Sequence, residues 1–249
     1  MRPVLAALPL AIALLGTAAH AEAAAAMTEA ERAAFRAEVR AYLLENPEVL
    51  IEAMDVLQSR EAETAAARDV QMLADNKEAL LNDPASWVGG NPEGDITIVE
   101  FTDYRCGYCR KAFAEVEELV KSDGNIRFVV KEFPILGEES MISSRFAIAV
   151  RQLHGDDAYK KAHDALITLR GSPDAATLGA LAVDLGLEAG PILARMNADE
   201  VTAVIAANHA MADKLQISGT PTFVLGDQLL RGYVPLDAMR ALVAEERAG

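Results

Sequence analysis

The stretch Ile96-Thr97-Ile98-Val99-Glu100-Phe101 runs straight into Thr102-Asp103-Tyr104-Arg105 and then Cys106-Gly107-Tyr108-Cys109, and the rest of the architecture is built around it. All of the first six residues but Glu100 are β-branched or aromatic, which predicts a strand. Beyond the cysteines, Cys109, Ala112, Phe113, Val116, Leu119 and Val120 recur at helical spacing. A helix reaching about Lys121 therefore lays one apolar stripe on the sheet. Ser122-Asp123-Gly124-Asn125 turns the chain, Ile126 to Lys131 forms a second strand, and Phe133-Pro134 ends it. The unit is a parallel β-α-β, with the two cysteines where the strand hands over to the helix.

That position separates the cysteines chemically. Cys109 heads the buried face of the helix. Cys106 lies one turn earlier, at a helix tip whose backbone N–H groups lack partners. The positive end of the helix dipole favours a thiolate there, and Arg105 and Arg110 flank the pair and add to that pull. Cys106 is then the exposed attacking thiol and Cys109 the shielded resolving thiol, while Gly107 and Tyr108 tune the thiolate and lie where a substrate passes. The chain has only these two cysteines. A bridge closing so short a loop restricts the unfolded chain little, which argues for redox work over stapling. Glu100 shares a strand face with Ile96 and Ile98, and a central parallel strand is buried on both faces. An acid there is costly unless used, so Glu100 is a candidate proton relay for Cys109; the plain alternative is a solvated strand end.

Other chemistries fit less well. Closed zinc sites need four ligands, and His154, His163 and His209 are scattered without ligand spacing. No metal ligand set is expected, although a soft ion such as Cu(I) suits two thiolates. A cysteine protease lacks its histidine context. The formal net charge of −15 argues against nucleic-acid partners, which need clustered Lys and Arg.

Around this centre the chain divides into three parts. Arg2, the apolar run Val4 to Leu15 and Ala19-His20-Ala21 have the layout of a cleavable export signal, residues 1–21, cut near Ala21 and delivering the protein to a periplasm. Residues 22–88 form an N-terminal helical region. Thr28 with Glu31 makes a capping box, Phe35, Val39, Tyr42 and Leu43 form a stripe, and Asn46-Pro47-Glu48 starts a second helix, with Asn46 as its cap, that runs to about Leu81. So long an apolar-striped helix needs a partner, either a second copy in a stalk or its own catalytic domain. Residues 89–249 are the catalytic domain. It opens on a turn-rich linker, Gly89 to Asp95. About 139–216 is helical, with breaks at Gly155, Gly171-Ser172-Pro173, Gly186 and Gly190-Pro191, and with caps at Ser172 or Asp174 and at Asn197 or Asp199. Thr222 to Leu225 and Gln228 to Arg231 pair through a Gly226-Asp227 turn, and a last helix covers Leu236 to Glu246.

These residues resemble a known family. Glu100 to Cys109 is similar to the active-site segment of the DsbA-like thioredoxin superfamily, and Gly219-Thr220-Pro221-Thr222-Phe223 to its cis-proline loop. Lys131-Glu132-Phe133-Pro134-Ile135-Leu136-Gly137 is similar to the matching segment of the ScsC and Com1-like branch, and residues 28–82 to the N-terminal region of ScsC-like proteins. The resemblance implies an α/β thioredoxin fold with a helical insertion. It also implies a cis Pro221 with Thr220 as a substrate ledge, no cofactor beyond the Cys106–Cys109 pair, and a homo-oligomer, trimer or dimer. The implied partners are misfolded or cysteine-containing exported proteins and a membrane redox protein, either a DsbD- or ScsB-like reductant or a DsbB-like oxidant. Gly107-Tyr108 and Thr220 depart from the dedicated oxidases, which carry Pro-His and a hydrophobic residue there, and lean toward isomerase or reductase.

Overall fold

The computed structural model describes residues 27–248; the signal-like segment and Ala21 lie outside the described residues. The chain forms two compact units, one ending at Ser59 and one starting at Arg60. The boundary falls inside a helix, not at the Gly89–Asp95 stretch.

In the first unit, helix α1 spans Glu29–Glu45 and helix α2, Glu48–Leu81, begins. The capping box forms: Glu31 N–H donates to the Thr28 hydroxyl at 3.3 Å, and Thr28 N–H to Glu31 Oε2 at 2.8 Å. Asn46 does not cap α2. Its side chain donates to the Tyr42 carbonyl at 3.0 Å and closes α1 instead. An amide can serve either helix, and here it joins its own backbone N–H on the Tyr42 carbonyl at the end of α1. Phe35, Tyr42, Leu50, Met54 and Leu57 are all more than half exposed.

The second unit holds a five-stranded sheet in the order β1-β3-β2-β4-β5. The strands are β1 (Trp87–Gly90), β2 (Ile96–Thr102), β3 (Ile126–Glu132), β4 (Thr222–Leu225) and β5 (Gln228–Arg231). β2 and β3 are parallel, in register Ile98 with Phe128 and Glu100 with Val130, and joined by helix α3, Gly107–Asp123. β4 runs antiparallel to β2 and hairpins to β5 through Gly226, whose φ of +59° suits the tight turn. β1 is the unforeseen strand: Trp87 to Gly90 pairs antiparallel with Val130 to Arg127, although its glycines read as linker. Its tryptophan explains the placement, stacking on Tyr159 and meeting Phe128 edge-on.

The insertion comprises α4 (Glu138–His154), α5 (Asp156–Thr168), α6 (Ala175–Asp184), α7 (Ala189–Arg195) and α8 (Asp199–Lys214), and α9, Leu236–Ala248, closes the chain. Asp174 caps α6 by accepting from Thr177 N–H at 2.8 Å. Neither Asn197 nor Asp199 caps α8, whose N-cap is Ala198. Gly190-Pro191 does not break the chain either; it sits in the first turn of α7, where a missing N–H costs nothing. One face of the sheet packs on α3, α9 and most of the insertion, while the end of α8, at Met211 and Ala212, lies with the other. The other carries Val99, Phe101, Val129 and Val224 against Leu73 and Leu80 of α2. Among the described residues no helix is long and apolar enough to cross a membrane.

Candidate active site

β2 ends at Thr102 and α3 begins at Gly107, so a short loop brings the chain from the sheet to Cys106 at the N-cap of α3. Asp103 holds this loop. Its fully buried carboxylate accepts from the N–H groups of Arg105 (2.8 Å), Ile135 (2.8 Å) and Leu136 (3.1 Å), tying the loop to the segment after β3. The residue is a loop clamp that sequence patterning passed over.

The pair is in the dithiol form, and its two sulfurs live in different environments. Cys109 is 1% exposed on the sheet-facing stripe of α3. Cys106 is only 8% exposed, which corrects the expectation of an open nucleophile: the Thr220 loop covers it, and its Sγ–H donates to the Thr220 carbonyl at 3.1 Å. The Cys106 thiol is pulled down to about 5, first by a hydrogen bond from the Cys109 thiol, then by the Thr220 side chain and the N–H groups of Cys109 and Tyr108, against the cost of burial. Cys109 is pushed far up by the same hydrogen bond, by burial and by the charge of Glu100. Arg105 and Arg110 are engaged elsewhere. Arg105 pairs with Glu139 at 2.8 Å and donates to the Gly171 carbonyl, while Arg110 Nε donates to the Tyr104 carbonyl at 2.8 Å. The thiolate is thus favoured by hydrogen bonds at the helix tip, without a paired cation.

Glu100 is buried on β2 between Val130 of β3 and Phe223 of β4. The strand end is not wet. Burial raises its carboxyl to about 8; the Thr102 hydroxyl opposes this, and the charges of Glu117, Cys106 and Glu132 add to it. The Thr220-Pro221 bond is cis, and Gly232 N–H donates to the Pro221 carbonyl at 2.9 Å. Gly107 has open space where a side chain would stand. Tyr108 is 63% exposed and stacks on Tyr233 at 6.4 Å, a residue the sequence did not point to. Cys106, Cys109, Thr220, Pro221 and Glu100 therefore converge, while Gly107 and Tyr108 form the open rim.

A cysteine pair at a strand-to-helix junction, opposite a cis-proline, agrees with the match of residues 97–244 to the DSBA-like thioredoxin domain. The chain belongs to the DsbA-like thioredoxin family. Its second unit is accordingly a thiol–disulfide oxidoreductase domain of DsbA and ScsC type. Residues 31–63 match the N-terminal domain of the copper resistance protein ScsC. A thioredoxin-like oxidoreductase from Silicibacter pomeroyi DSS-3 is 43% identical, with 70% of this chain and 99% of that one covered and a TM-score of 0.66. Proteus mirabilis ScsC, in a structure described as a transitional conformation, is 30% identical over 90% of this chain and 98% of its own, with a TM-score of 0.65. The Na(+)/H(+) antiporter NhaA 1 of Salinispora arenicola (strain CNS-205) is 32% identical over 164 residues, 65% of this chain and 25% of the antiporter. The chain spans about a quarter of the length of the curated relatives it matches.

Proposed function

We propose that this DsbA-family protein acts outside the cytoplasm on protein disulfides, as an isomerase or reductase working through Cys106. The asymmetry of the pair carries this reading: one thiol is drawn down to about 5, and its neighbour is held neutral beside a buried carboxyl. The Cys106 thiolate attacks one sulfur of a substrate disulfide, forms a mixed disulfide and expels a substrate thiolate. In isomerisation another substrate thiolate attacks the mixed disulfide and returns Cys106 with no net redox change. In reduction Cys109 loses its proton to Glu100 and attacks Cys106 Sγ. The second substrate thiolate leaves, and two electrons have passed from the pair to the substrate. A carboxyl near 8 is better matched to a thiol than an ordinary one and accepts that proton in its ionised fraction. Thr220 offers its backbone to an extended substrate beside Cys106, Pro221 shapes that ledge, and Gly107 and Tyr108 form its rim.

A membrane-held dithiol donor of the DsbD or ScsB class restores the dithiol. The signal-like N-terminus supports export to a periplasm, and the exposed apolar residues of α1 and α2 support a homo-oligomer. The test is refolding of scrambled ribonuclease by the dithiol protein without added oxidant. Recovered ribonuclease activity is expected, and its absence defeats the isomerase reading. One observation favours a second reading, dithiol oxidation with a DsbB-like partner: a strongly favoured thiolate stabilises the reduced pair and makes its disulfide oxidising. Rapid oxidation of a reduced two-cysteine peptide by the disulfide form, with no unscrambling, would select it. Cu(I) binding is disfavoured because the neutral Cys109 thiol must first lose its proton.

A further inference from the structure

Exchange at Cys106 makes no direct use of Glu132, yet this acid, 3% exposed at the end of β3, gathers more side chains than any residue touching the sulfurs. Tyr104 and Tyr159 each donate a hydroxyl to its Oε1 at 2.6 Å, and Ser144 donates to Oε2 at 2.7 Å. The Asn208 side chain donates to its backbone carbonyl at 3.0 Å. Tyr104 also lies 2.9 Å from His163 Nδ1. One phenolic proton cannot serve both neighbours, so with Tyr104 donating to Glu132 its oxygen accepts from His163 Nδ1–H. Burial, with the nearby Lys160 charge, pushes His163 down to about 3 and keeps it neutral, consistent with that tautomer.

The donors come from four places: Tyr104 from the redox loop, Ser144 from α4, Tyr159 from α5 and Asn208 from α8. Tyr104 is two residues before Cys106 and is gripped at both ends. Its hydroxyl is on Glu132, and its carbonyl takes Arg110 Nε from the first turn of α3. A buried carboxylate is a poor source of stability, because apolar residues of similar volume often hold a core as well. What such a fully satisfied cluster supplies is a fixed geometry.

We propose that Glu132 is a positioning residue of the redox loop: by taking Tyr104, Tyr159 and Ser144 on one carboxylate, it locks the loop carrying Cys106 to the helical insertion. This rests on Cys106 being the attacking thiol. The N–H groups of Tyr108 and Cys109 and the Thr220 side chain favour the thiolate only while the loop stands where Tyr104 holds it.

Tyr104→Phe and Tyr159→Phe give the test, since each deletes one hydroxyl bond to the same oxygen at the same length, Tyr104→Phe also removing the partner of His163 Nδ1. Only Tyr104 belongs to the loop. The readout is the pH titration of the Cys106 thiolate by ultraviolet absorbance, with the alkylation rate beside it. Tyr104→Phe is expected to raise the midpoint by about half a unit or more, which is roughly a threefold loss of thiolate below it. Tyr159→Phe is expected to move it less than half as far. A Tyr104→Phe midpoint equal to wild type, or an equal shift in both variants, overturns the proposal. If Tyr104→Phe does not fold, Glu132→Gln replaces it, because the amide oxygen still accepts from Tyr104. Glu132→Leu, which accepts from nothing, is read beside it: a wild-type midpoint in Glu132→Gln with a rise of about half a unit or more in Glu132→Leu supports positioning, and equal midpoints in the two overturn it. The titration reads the thiol whether or not the protein turns over substrate. An inert wild type would therefore defeat the proposed function without deciding the role of Glu132.

Discussion

Replacing Glu100 by Gln should make the protein more stable and its resolving step slower. In the unfolded chain this carboxyl ionises near its ordinary 4.5, whereas burial in the fold holds it at about 8. Between those values the folded state binds a proton that the unfolded state has lost, so stability falls as pH rises through the window. About two and a half pH units separate 4.5 from neutrality. At about 1.4 kcal/mol per unit, the wild-type carboxyl costs about 3 kcal/mol at pH 7. The substitution removes that penalty and leaves an amide to be satisfied, which returns about 1 kcal/mol. The net expectation is a gain of about 2 kcal/mol at pH 7 that reaches zero at about pH 5 and turns into a small loss below it. Cys106 works in the opposite direction in the dithiol form, because its depressed value adds stability from about 5 upward. The comparison therefore belongs in the disulfide form, where neither cysteine titrates. Urea unfolding at pH 5, 6, 7 and 8, followed by the single tryptophan Trp87, supplies the stabilities. Glu132, raised by burial to about 7, adds a second falling slope up to that pH and should remain in the variant. A Glu100→Gln variant with the full wild-type pH slope, or one less stable at pH 7, would refute the claim that Glu100 is held neutral by desolvation.

Three further outcomes follow from the same structure. Cys109→Ala removes the hydrogen bond that contributes most to the Cys106 thiolate; its titration midpoint should rise from about 5 by roughly one unit or more, and a midpoint that stays put would refute the assignment. Lys131, with its side chain 2% exposed, is paired with Asp83 at 2.6 Å. Asp83→Ala should cost about 3 kcal/mol in urea unfolding by stranding that charge, and adding Lys131→Met should recover part of it; a loss under about 0.5 kcal/mol would show the pair idle. Deleting residues 22–59 should reduce an oligomer to monomers by light scattering, and an unchanged mass would remove the stalk proposal. The cut must stop at Ser59, because Leu73 and Leu80 of the same helix are 4% and 1% exposed in the core of the second unit.

Features encoded within a few neighbouring residues were legible in the sequence. The period of the α3 stripe, the Thr28 capping box, the Gly226 hairpin and the Asp174 cap each appear in the structure. The family motif added the cis bond at Pro221, which spacing alone would have left as a turn. Features set by distant chain segments were not legible. Trp87 to Gly90 reads as a glycine-rich link until β3 and Tyr159 arrive to pair and stack with it. Cys106 reads as exposed because nothing near it in sequence announces that Thr220 closes over it. Glu132 was within reach of the rule applied to Glu100, since both are acids at the end of an apolar parallel strand. What no local pattern contains is its four-way company, drawn from residues 104, 144, 159 and 208. The two acids also differ in a way that burial alone does not predict. Glu132 is given three hydroxyl donors, and Glu100 has the Thr102 hydroxyl against the charges of Glu117, Cys106 and Glu132. The well-satisfied carboxylate suits holding a loop in place, and the poorly satisfied one suits exchanging a proton with Cys109.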